Sequence, residues 1–406
     1  MNYQTHKLGN GIKVVHYEID SAVAHFGVLL NVGSRDELEH EQGIAHFIEH
    51  TIFKGTKKRK AYHVLSRLED VGGELNAYTT KEETAVYATF LREDYHRTIE
   101  LISDIIIHSN FPVKELEKEK EVVIEEINSY KDSPSELIFD EFEELIFDGH
   151  PIARNILGTP ELVKSFTQKH IKDFMQNNYH TNEMVICSVG KIKFERLVKL
   201  LEKYFSEMKE NIRTSTRLPF TCYTPQVKEL TEDTYQSHCM LGNIAYHSRH
   251  KMRLPMVLLN NILGGTSMNS RLNMALRERN GMAYNIESNY TAYTDTGIFN
   301  IYFGTDPDNL DRAIQIVNKE MNKLRNTKLG SLQLSKAKKQ LIGQLAVSQE
   351  NKEDLLLMLG KTYMLYDRID TLDQIRDRIE AVDASELMEA ANEIFNPNQL
   401  STLIIK

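Results

Sequence analysis

The sequence predicts an α+β protein made of two similar layered domains, each a mostly antiparallel sheet packed against helices. Three observations carry this expectation. The 406 residues exceed what one hydrophobic core usually organises. A strand-like segment, helices with a glycine pair, and two paired strands occur in the first half and are replayed in the second. Between them, residues 208–221 are polar and aperiodic, with Pro219 near the end, which places a linker there. The predicted domains are residues 1–207 and 222–406.

The first half opens on Gly9-Asn10-Gly11, a hairpin-type turn, followed by strand-like runs at 12–17 and 23–32. A polar loop, 33–41, leads to Ile44, Phe47, Ile48 and Ile52. These fall at three- and four-residue steps with no proline between Glu37 and Phe53, the pattern of a helix. Residues 61–71 read as a second helix closed by Gly72-Gly73, and 74–80 and 84–91 as antiparallel strands joined by Lys81-Glu82-Glu83. An amphipathic helix at 95–109 and a strongly helical acidic run from Glu115 to Ile127 follow, then helices at 137–147, 167–177 and 193–205 with a strand at 184–189. In the second half, a strand at 236–245 precedes a helix at 252–263 and Gly264-Gly265. A helix at 268–279 and paired strands at 284–290 and 297–304 come next. Helices at 310–324, 335–348, 355–363, 371–379 and 384–394 lead to a last strand at 401–405.

Composition narrows the function classes. With 49 basic and 58 acidic residues the formal charge is -9, and no basic stripe with interleaved aromatics appears, which argues against a nucleic-acid surface. An apolar share of 41% is that of an ordinary globular chain. Cys187, Cys222 and Cys239 are odd in number and lack metal-ligand pair spacing, so they read as reduced structural residues. The N-terminal residues show no apolar signal region and no run of 18 apolar residues occurs, so a cytoplasmic protein without a membrane span is expected.

The chemistry is concentrated in His46-Phe47-Ile48-Glu49-His50. On a helix, positions four apart face the same way, so both imidazoles can reach one divalent metal while Glu49 leans to the same open side. His-x-x-Glu-His is the inverted form of the zinc-peptidase helix motif His-Glu-x-x-His. A catalytic zinc usually takes three protein ligands and one water, so a third ligand must come from elsewhere. Glu119 and Glu126, seven apart on the acidic helix, share one face. One can bind metal while the other holds a histidine from behind, and periodicity does not say which. The alternative for so acidic a run is a solvated face.

Here the sequence resembles the pitrilysin and insulinase type of metallopeptidase, most closely its mitochondrial-processing-peptidase-like branch. The resemblance runs through Gly33-Ser34-Arg35, the histidine motif, Phe53-Lys54-Gly55-Thr56, residues 72–79, 83–87 and 119–126, and Gly158-Thr159. In the second half it covers residues 276–284 and Asp295-Thr296-Gly297. It implies His46, His50 and Glu126 as ligands of one Zn2+ per chain, Glu49 as general base and Glu119 as partner of a ligand histidine. It implies two domains facing each other across a cleft, the second without metal. It also implies that the strand at Asn76 and Ala77 pairs with an extended peptide substrate, and that Arg277 and Tyr284 reach substrate from the second domain. On the residues alone, Arg277 reads equally as a surface charge and Tyr284 as a packed strand residue. Gly264 and Gly265 either admit a substrate backbone or simply stop a helix. The expected function is a zinc endopeptidase acting on short or unfolded peptides, as a homodimer. The alternative is a non-catalytic structural or binding subunit with the same fold.

Overall fold

The computed structural model describes residues 3–406. They fall into two compact units: residues up to Asn128 with Arg154–Arg217 and Val347–Thr371, and Ser129–Ala153 with Leu218–Ala346 and Leu372–Lys406. Each is a sheet with helices on it, the two α/β layers that the repeated pattern predicts.

The first unit holds β1 (Tyr3–Lys7), β2 (Lys13–Glu18), β3 (Val23–Leu30), β4 (Glu74–Thr79), β5 (Thr84–Leu91) and β6 (Met184–Gly190), in the spatial order β1-β2-β6-β3-β5-β4. In this sheet β2 and β6 pair parallel, and the other neighbouring strands pair antiparallel. Strand β1, Tyr-Gln-Thr-His-Lys, is too polar to announce itself, and it forms by pairing with β2 from Tyr3↔Tyr17 to Lys7↔Lys13. Side chains alternate across a strand, so Phe26 and Val28 of β3 meet one core while Leu29 points to another. The first core is closed by α1 (Ile44–Thr51), α2 (Ala61–Glu69), α3 (Tyr95–His108) and α4 (Val113–Lys131), through Phe47, Ile48, Leu68, Ile99, Ile102 and Val123. The opposite face, with Val15, Leu29, Ala85, Val185 and Cys187, is covered by Leu355, Leu356 and Leu359 of the helix Lys352–Tyr366.

The second unit holds β7 (Val227–Leu230), β8 (Ser237–Ile244), β9 (Ala283–Ala292), β10 (Gly297–Thr305) and β11 (Ser401–Ile405), in the order β7-β11-β8-β10-β9. One face packs Phe299, Ile301 and Phe303 under the helices Arg253–Gly264 and Ala384–Ile394. The other packs Met240, Ile298, Leu403 and Ile405 against Ile138, Phe142 and Leu145 of α5 (Pro134–Ile146). Each sheet is thus covered on one side by a helix from the far half of the sequence. A linker reading of residues 208–221 misses that the stretch is fastened to the first unit up to Arg217. Arg213 and Arg217 donate to the buried Asp36 at 2.6 and 2.7 Å, and Arg217 also donates to Asn31 Oδ1 at 3.0 Å.

The predicted helix at 268–279 is shorter and wider than expected: Asn273–Glu278 is a π-helix. Arg279 N–H reaches back five residues to Met274 O, and the Asn280 side chain takes Ala275 O at 2.7 Å, so the last turn opens before Gly281 at φ 60°.

Candidate metal centre

The motif helix begins at Gly43, whose φ is 94° and where an added Cβ would fall 2.7 Å from Gly158 Cα, so no side chain fits. The first amides of α1 need acceptors, and a side chain outside the helix supplies them. Glu37 Oε2 accepts from Gly43 N–H and Oε1 from Ala45 N–H, both at 2.9 Å and both buried. With Ile44, Phe47 and Ile48 fixed in the core, His46, Glu49 and His50 are left on the other side.

Glu126 of α4 meets them there. Its Oε2 lies 3.2 Å from His50 Nε2 and 3.8 Å from His46 Nε2, and one donor atom from each of the three residues lies within 4.8 Å of the others. Four ligands about 2.0–2.1 Å from a tetrahedral zinc stand about 3.3 Å apart, so the three donors need little movement to close on an ion. The donor chemistry also fits, with two imidazole nitrogens and one carboxylate oxygen. Behind them, Glu119 Oε1 lies 3.3 Å from His50 Nδ1, and its Oε2 lies 2.8 Å from Lys54 Nζ. Among the described residues, the buried Nδ1 of His46 has no hydrogen-bond partner.

Burial and neighbouring charge shift the two imidazoles in opposite directions. Burial, with some repulsion from His50, lowers the His46 pKa to about 3, so that ring is neutral at physiological pH. Burial also opposes charge on His50, but the Glu119 hydrogen bond and the charges of Glu126, Glu119 and Glu49 outweigh it and raise its pKa. Glu49 is raised chiefly by burial, against a hydrogen bond from Thr79. Glu119 moves down: burial would raise it, and His50 and Lys54 reverse that.

The remaining site candidates divide by unit. Asn76 and Ala77 sit on β4, paired on one side to Tyr87 and Val86 of β5; no strand lies on the other side among the described residues. Helix α1 packs against this strand, so Thr79 meets both Glu49 and Ala45 O. In the second unit, Arg277 lies over the Tyr284 ring, 4.8 Å from its centroid, and Tyr284 is 75% exposed. Gly264, Gly265, Arg277 and Tyr284 line one cleft of about 560 Å³. Gly264 has a packing reason as well, since a side chain there would meet Ser288 and Leu272 within 3 Å. Sequence reasoning missed Glu37, Lys54 and Thr79. Glu37 stands six residues before Gly43, outside any local capping spacing, and Lys54 lay in a quoted motif without a role.

Two α/β units, one with a His-His-Glu donor set and a further carboxylate beside it, define the architecture of a metal-dependent peptidase. Residues 13–160 match the model of the insulinase family, peptidase family M16, and residues 165–341 match the peptidase M16 inactive domain. The chain belongs to that family. It is 32% identical over 397 residues to the "Uncharacterized zinc protease YmxG" of Bacillus subtilis, covering 97% of this chain and 96% of that one. It is 27% identical to the mitochondrial-processing peptidase subunit beta of Caenorhabditis elegans, over 98% of this chain and 88% of that one. A crystal structure of a protease from Helicobacter pylori shares the fold, with a TM-score of 0.92 and 23% identity over 100% of this chain and 99% of that one.

Proposed function

We propose that the chain is a zinc-dependent endopeptidase that hydrolyses short or unfolded peptides, with Glu49 as general base. The observation that carries this is the convergence of His46, His50 and Glu126, donor atoms within 4.8 Å, on the side of α1 that also bears Glu49. One zinc held by those three residues would supply a Lewis acid that acidifies water and polarises a carbonyl. Glu49 then takes the proton of the attacking water and hands it to the departing amine, a task suited to a carboxyl whose pKa burial has raised. Glu119 orients His50 through Nδ1.

Substrate binding follows from the edge of β4. An extended peptide added there at Asn76 and Ala77 would be read by its backbone, which favours broad specificity. We assign Arg277 and Tyr284 to the same substrate, tyrosine toward the attacked carbonyl and arginine toward the peptide backbone, with Gly264 and Gly265 as further contacts. The proposal includes a processing-peptidase-like kinship, supported by the 27% identity to the beta subunit, a homodimer, and a cytoplasmic setting in keeping with three free cysteines. Among the described residues no helix is long and apolar enough to cross a membrane.

The test is hydrolysis of quenched fluorescent peptides of varied sequence, with and without a strong chelator. Chelator-sensitive cleavage that vanishes in E49Q, with zinc still near one per chain, supports the reading. Absence of such cleavage in the wild type returns the chain to the role of a non-catalytic subunit.

A further inference from the structure

We propose that Lys54 is a positioning residue of the metal centre, acting on the ligand His50 through Glu119. The inference rests on the zinc reading above and adds a residue to it.

A glutamate carboxylate rotates almost freely about its last torsion, so contact with one partner does not hold it in plane. Glu119 has two partners on its two oxygens: His50 Nδ1 at 3.3 Å from Oε1 and Lys54 Nζ at 2.8 Å from Oε2. The ammonium fixes one oxygen and thereby aims the other at the imidazole. That hydrogen bond in turn sets the tautomer and plane of a ring whose Nε2 faces Glu126 at 3.2 Å. Lys54 is itself well placed for this. Its N–H donates to Thr51 O at the end of α1. Gly55 follows at φ 144°, and Thr56 then fastens the loop to α3 by donating to Asp104 Oδ2 at 2.8 Å. The side chains of Lys54 and Glu119 are 28% and 11% exposed, so water competes only partly for their pairing.

Charge gives a second reason. Glu49, Glu119 and Glu126 surround a site built for a dication, which leaves one negative charge uncompensated. Lys54 supplies the balancing positive charge without competing for the metal, because it approaches the far oxygen of Glu119.

The experiment measures zinc affinity by competition with a chelating dye for the wild type, K54M, K54R, E119Q and the K54M/E119Q double variant. Thermal unfolding of the metal-free proteins checks folding, and K54A replaces K54M if the latter does not fold. Loss of an outer partner of a ligand typically weakens metal binding about 10–100-fold. K54M should bind zinc about tenfold more weakly, K54R should recover most of that loss, and K54M should add less than twofold once Glu119 is glutamine. Turnover should fall with KM unchanged. Zinc affinity of K54M within twofold of the wild type, or an undiminished K54M effect in the E119Q background, overturns the role of Lys54 alone. A wild-type chain that takes up no zinc overturns the metal reading and this inference with it.

Discussion

Glu37 offers the sharpest test of how the sequence builds the motif helix. Its two carboxylate oxygens accept from the amides of Gly43 and Ala45 at 2.9 Å, and the side chain is buried. In E37A both amides lose their acceptor in a place water does not reach. A buried donor left unsatisfied costs about 1–3 kcal/mol, so the pair should cost about 2–6 kcal/mol. Gln retains a single acceptor and should cost roughly half. Against a total stability of about 5–15 kcal/mol for a typical domain, that is a large share. The assay is equilibrium urea unfolding of the metal-free protein, followed by zinc competition. His46 lies in the first turn, so fraying there weakens zinc binding too; 2 kcal/mol corresponds to about thirtyfold in affinity. If E37A unfolds within about 0.5 kcal/mol of the wild type, the amides have another acceptor and the account of α1 is wrong.

Other outcomes follow from single contacts. E49Q should abolish peptide cleavage and leave bound zinc near one per chain, measured by metal analysis beside the activity assay; joint loss of metal would give Glu49 a different role. Asp36, drawn below its ordinary 3.8 by Arg217 and Arg213 despite burial, should contribute stability that is complete above that value and lost as pH falls through its lowered folded value. Acid unfolding of D36N should therefore lack that component. G360V should destabilise the first unit by about 1–3 kcal/mol, because a Cβ at Gly360 would meet Cys187 Sγ at 2.5 Å and Leu29 at 2.8 Å. R277A should raise KM for peptides tenfold or more without changing zinc content, since Arg277 lies over exposed Tyr284 and is not one of the three donors; unchanged KM would remove Arg277 from the substrate site.

What could be read from the chain follows the range of the physics involved. Chelation by one helix imposes a spacing of four, so His46, Glu49 and His50 stand out locally. Glu126 comes from a different helix, and periodicity fixed only that it shares a face with Glu119; the direction of that face depends on how α4 packs through Leu116, Val123 and Ile127. The apolar positions Leu355, Leu356 and Leu359 say that their helix is covered, but nothing in a helical stripe names the sheet that covers it. The π-helix at Asn273–Glu278 was hidden for a related reason: its extra residue per turn depends on Asn280 and Gly281 closing the end, a pattern weaker than the surrounding apolar period.

The exchange of covering helices has a consequence during synthesis. When the ribosome has released the residues through Arg217, every strand of the first sheet exists, yet Val15, Leu29, Ala85, Val185 and Cys187 still lack the leucines that shield them. Those leucines emerge only after well over a hundred further residues, roughly 7–30 s at about 5–20 residues per second. For that interval the nascent chain presents an apolar sheet face to the cell, a natural client surface for chaperones. A gene cut after Arg217 would make that exposure permanent in one fragment and bare the α5-covered face of the second sheet in the other, so the two pieces should be recoverable only when made together.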